Sequence, residues 1–307
     1  MDLATATVVL VRIFLVVTML GIGIGLGRSI DEVGRRIRRG RALLPVVLAN
    51  LVALPLVAIS CVAIARSVPD GLDDAVAVAL LAVAIAPAGS IAPKLVQLAG
   101  GDLVLGLGAT FGLTIIGSLA FGPSLAVADS LLDLAPTTAP LDIGGIVASL
   151  AIFQLLPTLV GWTLGRHGGP VARRAVRPLF VGSNVLVLAI AGVAIADTAD
   201  EVLILGGAPV LLMLAITLAA IMIGRLAGDG TTAGRRAAML VTAQRSPGLA
   251  LLVVAGPGHA VETATVTVFA LVLLIVNGSL AVLLGRVAGV RRSLGLPAGL
   301  TGVDDAA

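Results

Sequence analysis

The 307-residue chain is 58% apolar and only 12% charged, with a mean hydropathy of +1.14. A soluble domain carries about a quarter charged residues, so this composition excludes an ordinary water-soluble fold. A net charge of only +3, with the cations gathered in loops, also excludes a nucleic-acid-binding face in spite of a pI near 10.3.

Apolar runs long enough to cross a hydrocarbon core of about 30 Å recur from end to end. Lipid offers the backbone no partners, so spanning segments are helices or a closed barrel. A barrel would alternate apolar and polar residues over short segments, whereas these runs are continuous. The first, near 5–27, lacks the basic start and small-residue cleavage pattern of a signal peptide and is read as a retained span. Further spans follow near 43–65, 72–92, 103–127, 143–165, 176–196, 202–224, 236–256 and 263–285, with a short helical piece at 94–99. Residues 294–307, rich in Gly, Ala and Asp, read as a flexible tail. The expected fold is therefore all-α and integral to the membrane: about nine transmembrane helices in one domain over residues 1–293.

Charge placement orients this bundle. One set of alternate loops carries Arg28, Arg35, Arg36, Arg38, Arg39 and Arg41, then Arg166, Arg173, Arg174 and Arg177. It continues with Arg225, Arg235 and Arg236 and ends with Arg286, Arg291 and Arg292. The opposite loops are acidic (Asp70, Asp73, Asp74, Asp129, Asp133, Asp142, Asp197, Asp200, Glu201, Glu262), with Arg66 as their basic residue. By the positive-inside rule the Arg-rich side is cytoplasmic. The N-terminus is then outside and the C-terminus inside, which requires an odd number of spans.

Three cations, Arg12, Lys94 and Arg245, fall inside predicted membrane segments, Lys94 in the short piece at 94–99. An intramembrane cation costs at least about 2.5–3.5 kcal/mol on insertion scales, so it marks a functional site by default. Arg12 lies about two turns from a helix end, from which its side chain can snorkel to the interface. Lys94 follows Pro87, Ala88, Gly89, Ser90, Ile91, Ala92 and Pro93. Proline removes a helical N–H and glycine loosens the backbone, so the third span is expected to break here. The eighth span has a matching break at Gln244, Arg245, Ser246, Pro247 and Gly248. Interrupted hydrophobic segments at corresponding positions of two halves point to a transporter's binding site. Two cations and two half-helix N-termini converging near the midplane make an electropositive pocket suited to carboxylate, sulfonate or phosphate. Lys94 is the single lysine of the chain. A desolvated lysine, unlike arginine, can lose its proton near neutral pH, so Lys94 is expected to couple transport to protons. The lone Cys61 excludes an intramolecular disulfide, and neither His167 nor His259 has ligand spacing around it. No metal site, cofactor motif or catalytic set is expected.

The same stretches resemble the bile acid:sodium symporter family. Pro87-Ala88-Gly89-Ser90, Leu98-Ala99-Gly100-Gly101-Asp102, Leu105 and Thr110 are similar to the family's P-G-G-T-A-S-N segment, its L-A-x-G-[DN] and the helix after it. Met19-Leu20-Gly21-Ile22-Gly23-Ile24-Gly25-Leu26 resembles M-x-x-G-x-x-L. Asn50 with Pro55, and Ser246-Pro247-Gly248-Leu249-Ala250 beside the family's Q-N-S-G-L-A, extend the likeness in order along nearly the whole chain. The resemblance implies two inverted five-helix repeats, here without the first helix. It also implies a panel (1–42 and 143–197) and a core (43–128 and 202–287) whose two broken helices cross beside the substrate.

Sodium in this family is held by oxygen ligands, and here those positions depart from the pattern. Ala92 and Pro93 stand for a Ser-Asn pair, Gly106 for a serine, Val241 for a glutamate and Arg245 for a glutamine. Thr110, and Asn50 in place of glutamine, keep a side-chain oxygen. The expectation is a secondary carrier of a small organic anion in the cytoplasmic membrane, working by alternating access without sodium. Its site is expected to comprise Lys94, Arg245, Pro93, Ser90, Gln244, Ser246, Asn50 and Thr110, with helix breaks at Pro87, Gly89, Pro247 and Gly248. Sodium-dependent anion symport through rebuilt ion sites, and a non-transporting membrane sensor or scaffold, are the alternatives.

Overall fold

The computed structural model describes residues 3–38, 43–69, 71–134, 148, 151–197, 205–254 and 259–293; the predicted tail 294–307 lies outside them. The described residues form helices and no named strand. α1 (Leu3–Arg38) continues past the predicted end of the first span into the first predicted loop. Next come α2 (Leu43–Leu48), a π-helical segment (Ala49–Ala53) and α3 (Leu54–Arg66), which together make one rod. The third predicted span holds α4 (Asp74–Ile85), and after the Pro-Gly segment α5 (Ala92–Leu98) takes the place of the short piece predicted at 94–99. α6 spans Leu103–Leu132. A second π segment (Ala151–Leu155) precedes α7 (Leu156–His167), and α8 (Gly169–Asp197) follows. α9 is Gly207–Ala227. The eighth predicted span is two helices, α10 (Thr232–Ala243) and α11 (Pro247–Val254), and α12 (Ala260–Ser293) ends the described chain.

Among the described residues four helices are long and apolar enough to cross a membrane: Leu43–Arg66, Leu103–Leu132, Gly207–Ala227 and Ala260–Gly289. Their outward side chains, such as Leu44, Leu56, Ile64, Leu218, Leu226 and Ile275, are exposed large apolar groups. So much exposed apolar surface fits lipid rather than water.

The sequence explains the local form. Pro55 and Pro157, each at the second position of a helix, have no N–H to give four residues back, and each rod widens into a π turn just before them. Gly100 (φ +65°) takes the left-handed conformation that follows the end of α5. Asp102 then caps α6, its carboxylate accepting from the N–H groups of Val104 and Leu105 at 3.0 Å. Asp73 caps α4 in the same way, and the Thr231 hydroxyl caps α10.

Packing gathers α1, α7 and α8 together, while α4 packs on α3 and α12, and α9 on α10. The contact of α1 with α7 depends on two glycine pairs at four-residue spacing, Gly23/Gly27 and Gly161/Gly165. A Cβ on Gly23 would come 2.2 Å from the Thr158 carbonyl oxygen, and one on Gly161 2.3 Å from that of Leu20. Small residues at this spacing let membrane helices approach to backbone contact. The two interrupted helices are the most enclosed elements: every residue from Val76 to Ile85 and from Ala237 to Ala243 is buried. A helix that is apolar on all sides belongs in such a position.

Candidate functional site

The breaks between α4 and α5 and between α10 and α11 meet. Ala88 and Arg245 form an isolated antiparallel bridge, and the Gly89 N–H donates to the Gln244 carbonyl at 2.6 Å. Two unwound segments thus satisfy one another at a depth where lipid cannot. Glycine is required here for close approach: a Cβ on Gly89 would lie 2.2 Å from the Arg245 carbonyl oxygen. Pro87, buried, is accommodated by Gly117 of α6, whose Cβ would come 2.6 Å from that of Pro87.

Arg245 is the largest fully buried side chain among the described residues, at 1% exposure. One terminal nitrogen donates to Asn50 Oδ1 at 2.5 Å and to the Thr242 carbonyl at 3.4 Å, and the other to the Ile85 carbonyl at 3.3 Å. Asn50 is aimed by its own amide, which donates to the Val46 carbonyl (2.8 Å) and the Thr242 hydroxyl (3.0 Å). Its seat is the π turn created by Pro55. Ile85 is the last residue of α4 and Thr242 the penultimate residue of α10. The guanidinium therefore rests on the negative, C-terminal ends of two half-helices. It makes no ion pair with an acidic side chain among the described residues, and its Nε is buried without a hydrogen-bond partner.

A cavity of about 100 Å³ opens beside this crossover. Its polar end is formed by Ser90, Gln244, Arg245 and Ser246, with Gly89 and the first residues of α11, Pro247 and Gly248. Its apolar walls come from Val11 and Phe14 of α1, Ile190 of α8, Leu251 of α11, and Leu271 and Leu274 of α12. The cavity thus lies where α1 and α8 meet the crossed breaks. Its lining is amphipathic: an arginine, two serines and a glutamine at one end, and mainly hydrocarbon with Thr267 elsewhere.

Several expected residues therefore come together, namely Arg245, Ser90, Gln244, Ser246, Gly89, Pro247 and Gly248, with Asn50 directly behind Arg245. Others do not. Lys94 is exposed on α5 and lies outside the cavity, which corrects the expectation of two cations in one pocket. The cause is local: a helix resumes at Ala92, and its buried face takes Ala92, Pro93, Leu95 and Val96, turning position 94 outward. Pro93 is buried but does not line the cavity. Thr110 is fully buried on α6 with its hydroxyl oxygen unpartnered, also outside the cavity lining. Arg12 is exposed and stands over the Phe153 ring at 5.2 Å, a structural cation–π contact.

The sequence reading missed Asn277. Fully buried on α12, it donates to the Ala243 carbonyl at 3.2 Å and to Gln244 Oε1 at 3.1 Å, which fixes the side-chain amide of a cavity-lining residue. A lone asparagine inside the last apolar span was the available signal. Thr242 and Thr267 were missed as well, the first supporting Asn50 and the second lining the cavity.

The model of the sodium bile acid symporter family matches residues 12–204, well over half of the chain. The chain belongs to the sodium bile acid symporter family. The match takes in the first break and stops before the second, so the Arg245 half of the crossover lies beyond the matched segment. No curated protein matches the sequence. Membership in this family of transporters, together with the long apolar helices, makes the chain a multi-pass membrane transport protein.

Proposed function

We propose that this symporter-family protein is a secondary carrier for a small organic anion with an apolar body, and that it moves its substrate without sodium. The observation that carries this reading is the cavity at the crossed breaks, lined by Arg245, Ser90, Gln244 and Ser246 at one end and mainly by hydrocarbon elsewhere, with the buried guanidinium of Arg245 paired to no carboxylate among the described residues. A carboxylate entering it would gain a charge-assisted partner in a low-dielectric setting. Ser90, Ser246 and Gln244 add orienting groups, and the apolar walls accept the remainder of the molecule.

In this reading nine spans form two units. The panel comprises α1, α7 and α8, and the core comprises the rest, with the Arg-rich loops cytoplasmic, the N-terminus outside and the bilayer that of the cell. Alternating access is a rocking of panel against core across the cavity. Charge for the substrate comes from Arg245. The proton-coupled version rested on a desolvated Lys94, and the surrounding protein gives that exposed side chain no such burial.

Uptake of radiolabelled benzoate and cholate into proteoliposomes tests the proposal, with sodium or choline as the outside cation. Saturable uptake in both salts, lost in Arg245→Ala, is the expected result. Uptake in sodium alone would favour the sodium-dependent alternative. No uptake, combined with no ligand-dependent rise in melting temperature, would favour a sensor or scaffold.

A further inference from the structure

We infer that the Arg245 guanidinium is a tethered cation that permanently fills an ion site, doing in this protein what a bound sodium ion would do in a coupled carrier. The inference rests on the carrier reading above for its consequence, but its evidence is the set of atoms around the guanidinium. The three acceptors, Asn50 Oδ1, the Thr242 carbonyl and the Ile85 carbonyl, are all oxygens. They come from three separate elements, and two of them are carbonyls at the C-terminal ends of the interrupted helices. In discontinuous transporter helices such carbonyls, with the negative ends of the half-helices, are the groups that coordinate a small cation, while half-helix N-termini face the anionic substrate. The polarity found here is the same. The C-terminal ends of α4 and α10 meet the guanidinium, and the N-terminal end of α11 borders the cavity.

Two further features support occupation of a cation site by the protein itself. The cation is fully buried and no carboxylate neutralises it among the described residues, so the helix ends and Asn50 are its compensation. Its support is also elaborate: the π turn seats Asn50, and Asn50 is held in turn by Val46 and Thr242. An arginine that merely snorkelled would need none of this. The consequence is that the positive charge which makes the cavity receptive to an anion is always present, so binding does not wait for an ion and no ion gradient is spent on it.

The test is thermal unfolding of the full-length purified protein, followed by helical circular dichroism, in sodium chloride against choline chloride at constant ionic strength. The wild type is expected to melt at the same temperature in both salts. Arg245→Ala opens the oxygen cage and is expected to gain a saturable rise in melting temperature with sodium, as mass action requires of a ligand that binds the folded state. Arg245→Lys keeps a tethered cation and is expected to remain indifferent to sodium. A saturable sodium-dependent rise in the wild type would overturn the inference. So would an Arg245→Ala protein that folds yet ignores sodium. Should Arg245→Ala fail to fold in both salts, Arg245→Gln, which leaves a neutral amide in the cage, is judged by the same two outcomes. The carrier reading is separated by adding benzoate or cholate to the wild type. Stabilisation by either anion in both salts upholds the carrier whatever sodium does, and no stabilisation in either salt counts against the carrier alone.

Discussion

Asn50→Asp isolates the charge of the site from its shape. The substitution is nearly isosteric, and it places a carboxylate where the amide oxygen now accepts from the Arg245 guanidinium at 2.5 Å. The guanidinium gains an ion-pair partner, which offsets the loss of the amide's bond to the Val46 carbonyl, so the fold is expected to remain intact. The electropositive end of the cavity, however, is neutralised. An anion bound on the far side of the guanidinium would sit about 6 Å from the new carboxylate; at an effective dielectric near 20 the repulsion is about 3 kcal/mol, on the order of a hundredfold in Kd. Asn50→Ala is the contrasting variant. It removes a hydrogen bond to a buried charge, worth about 1.5–3 kcal/mol of stability, and leaves the charge in place. Ligand-dependent melting shifts with benzoate and cholate report both quantities in one assay. Asn50→Asp should melt near the wild type, its new ion pair set against the lost bond to Val46, and lose the anion shift, whereas Asn50→Ala should melt lower and keep part of it. A folded Asn50→Asp protein that still binds these anions as the wild type does would show that Arg245 is not the charge they meet.

Three further substitutions probe the crossover and its surroundings. Gly89→Ala forces a Cβ to within 2.2 Å of the Arg245 carbonyl oxygen; overpacking alone costs about 1–3 kcal/mol, so the melting temperature should fall clearly, and an unchanged value would mean that the two breaks are not in contact. Gly161→Val pushes against the Leu20 carbonyl, which a Cβ would approach to 2.3 Å. Loss of the well-folded peak in size-exclusion chromatography is expected, and wild-type behaviour would remove α1–α7 contact as a requirement of the fold. Lys94→Gln should leave anion-dependent melting shifts unchanged because the side chain is exposed outside the cavity; loss of the shift would return Lys94 to the site.

Much of this was legible in the residues because the bilayer leaves few options. Apolar runs and proline positions located both interrupted helices, and Pro87-Ala88-Gly89 and Gln244-Arg245-Ser246 fall in the segments that unwind. Sequence could not say which way a residue faces once the helix resumes. Lys94 and Pro93 are adjacent, yet one is exposed and the other buried. That distinction depends on the first turn of α5 and on the neighbours it packs against. Asn277 was hidden for a related reason: its partners, Ala243 and Gln244, lie 34 and 33 residues away in sequence. Residues 28–38 of the expected loop 28–42 are helix because arginines have good helix propensity and nothing in that stretch stops α1.

The buried arginine also constrains what can move. Separating α4 from α10 would strip the guanidinium of the Ile85 carbonyl and break the Gly89–Gln244 bond. Leaving a buried charge uncompensated costs several kcal/mol, about 3–5 when a partner is removed. The crossover therefore behaves as one body. The glycine-mediated contact of α1 with α7 resists separation in the same way, since its backbones are already in contact. Between these two bodies, at the cavity, the facing residues Val11, Phe14, Ile190, Leu251, Leu271 and Leu274 are apolar, and such contacts have no fixed hydrogen-bond geometry to preserve. On the carrier reading this is the surface along which the protein slides. Its motion exposes the Arg245 end of the cavity to one side of the membrane or the other while the oxygen cage behind the guanidinium stays closed.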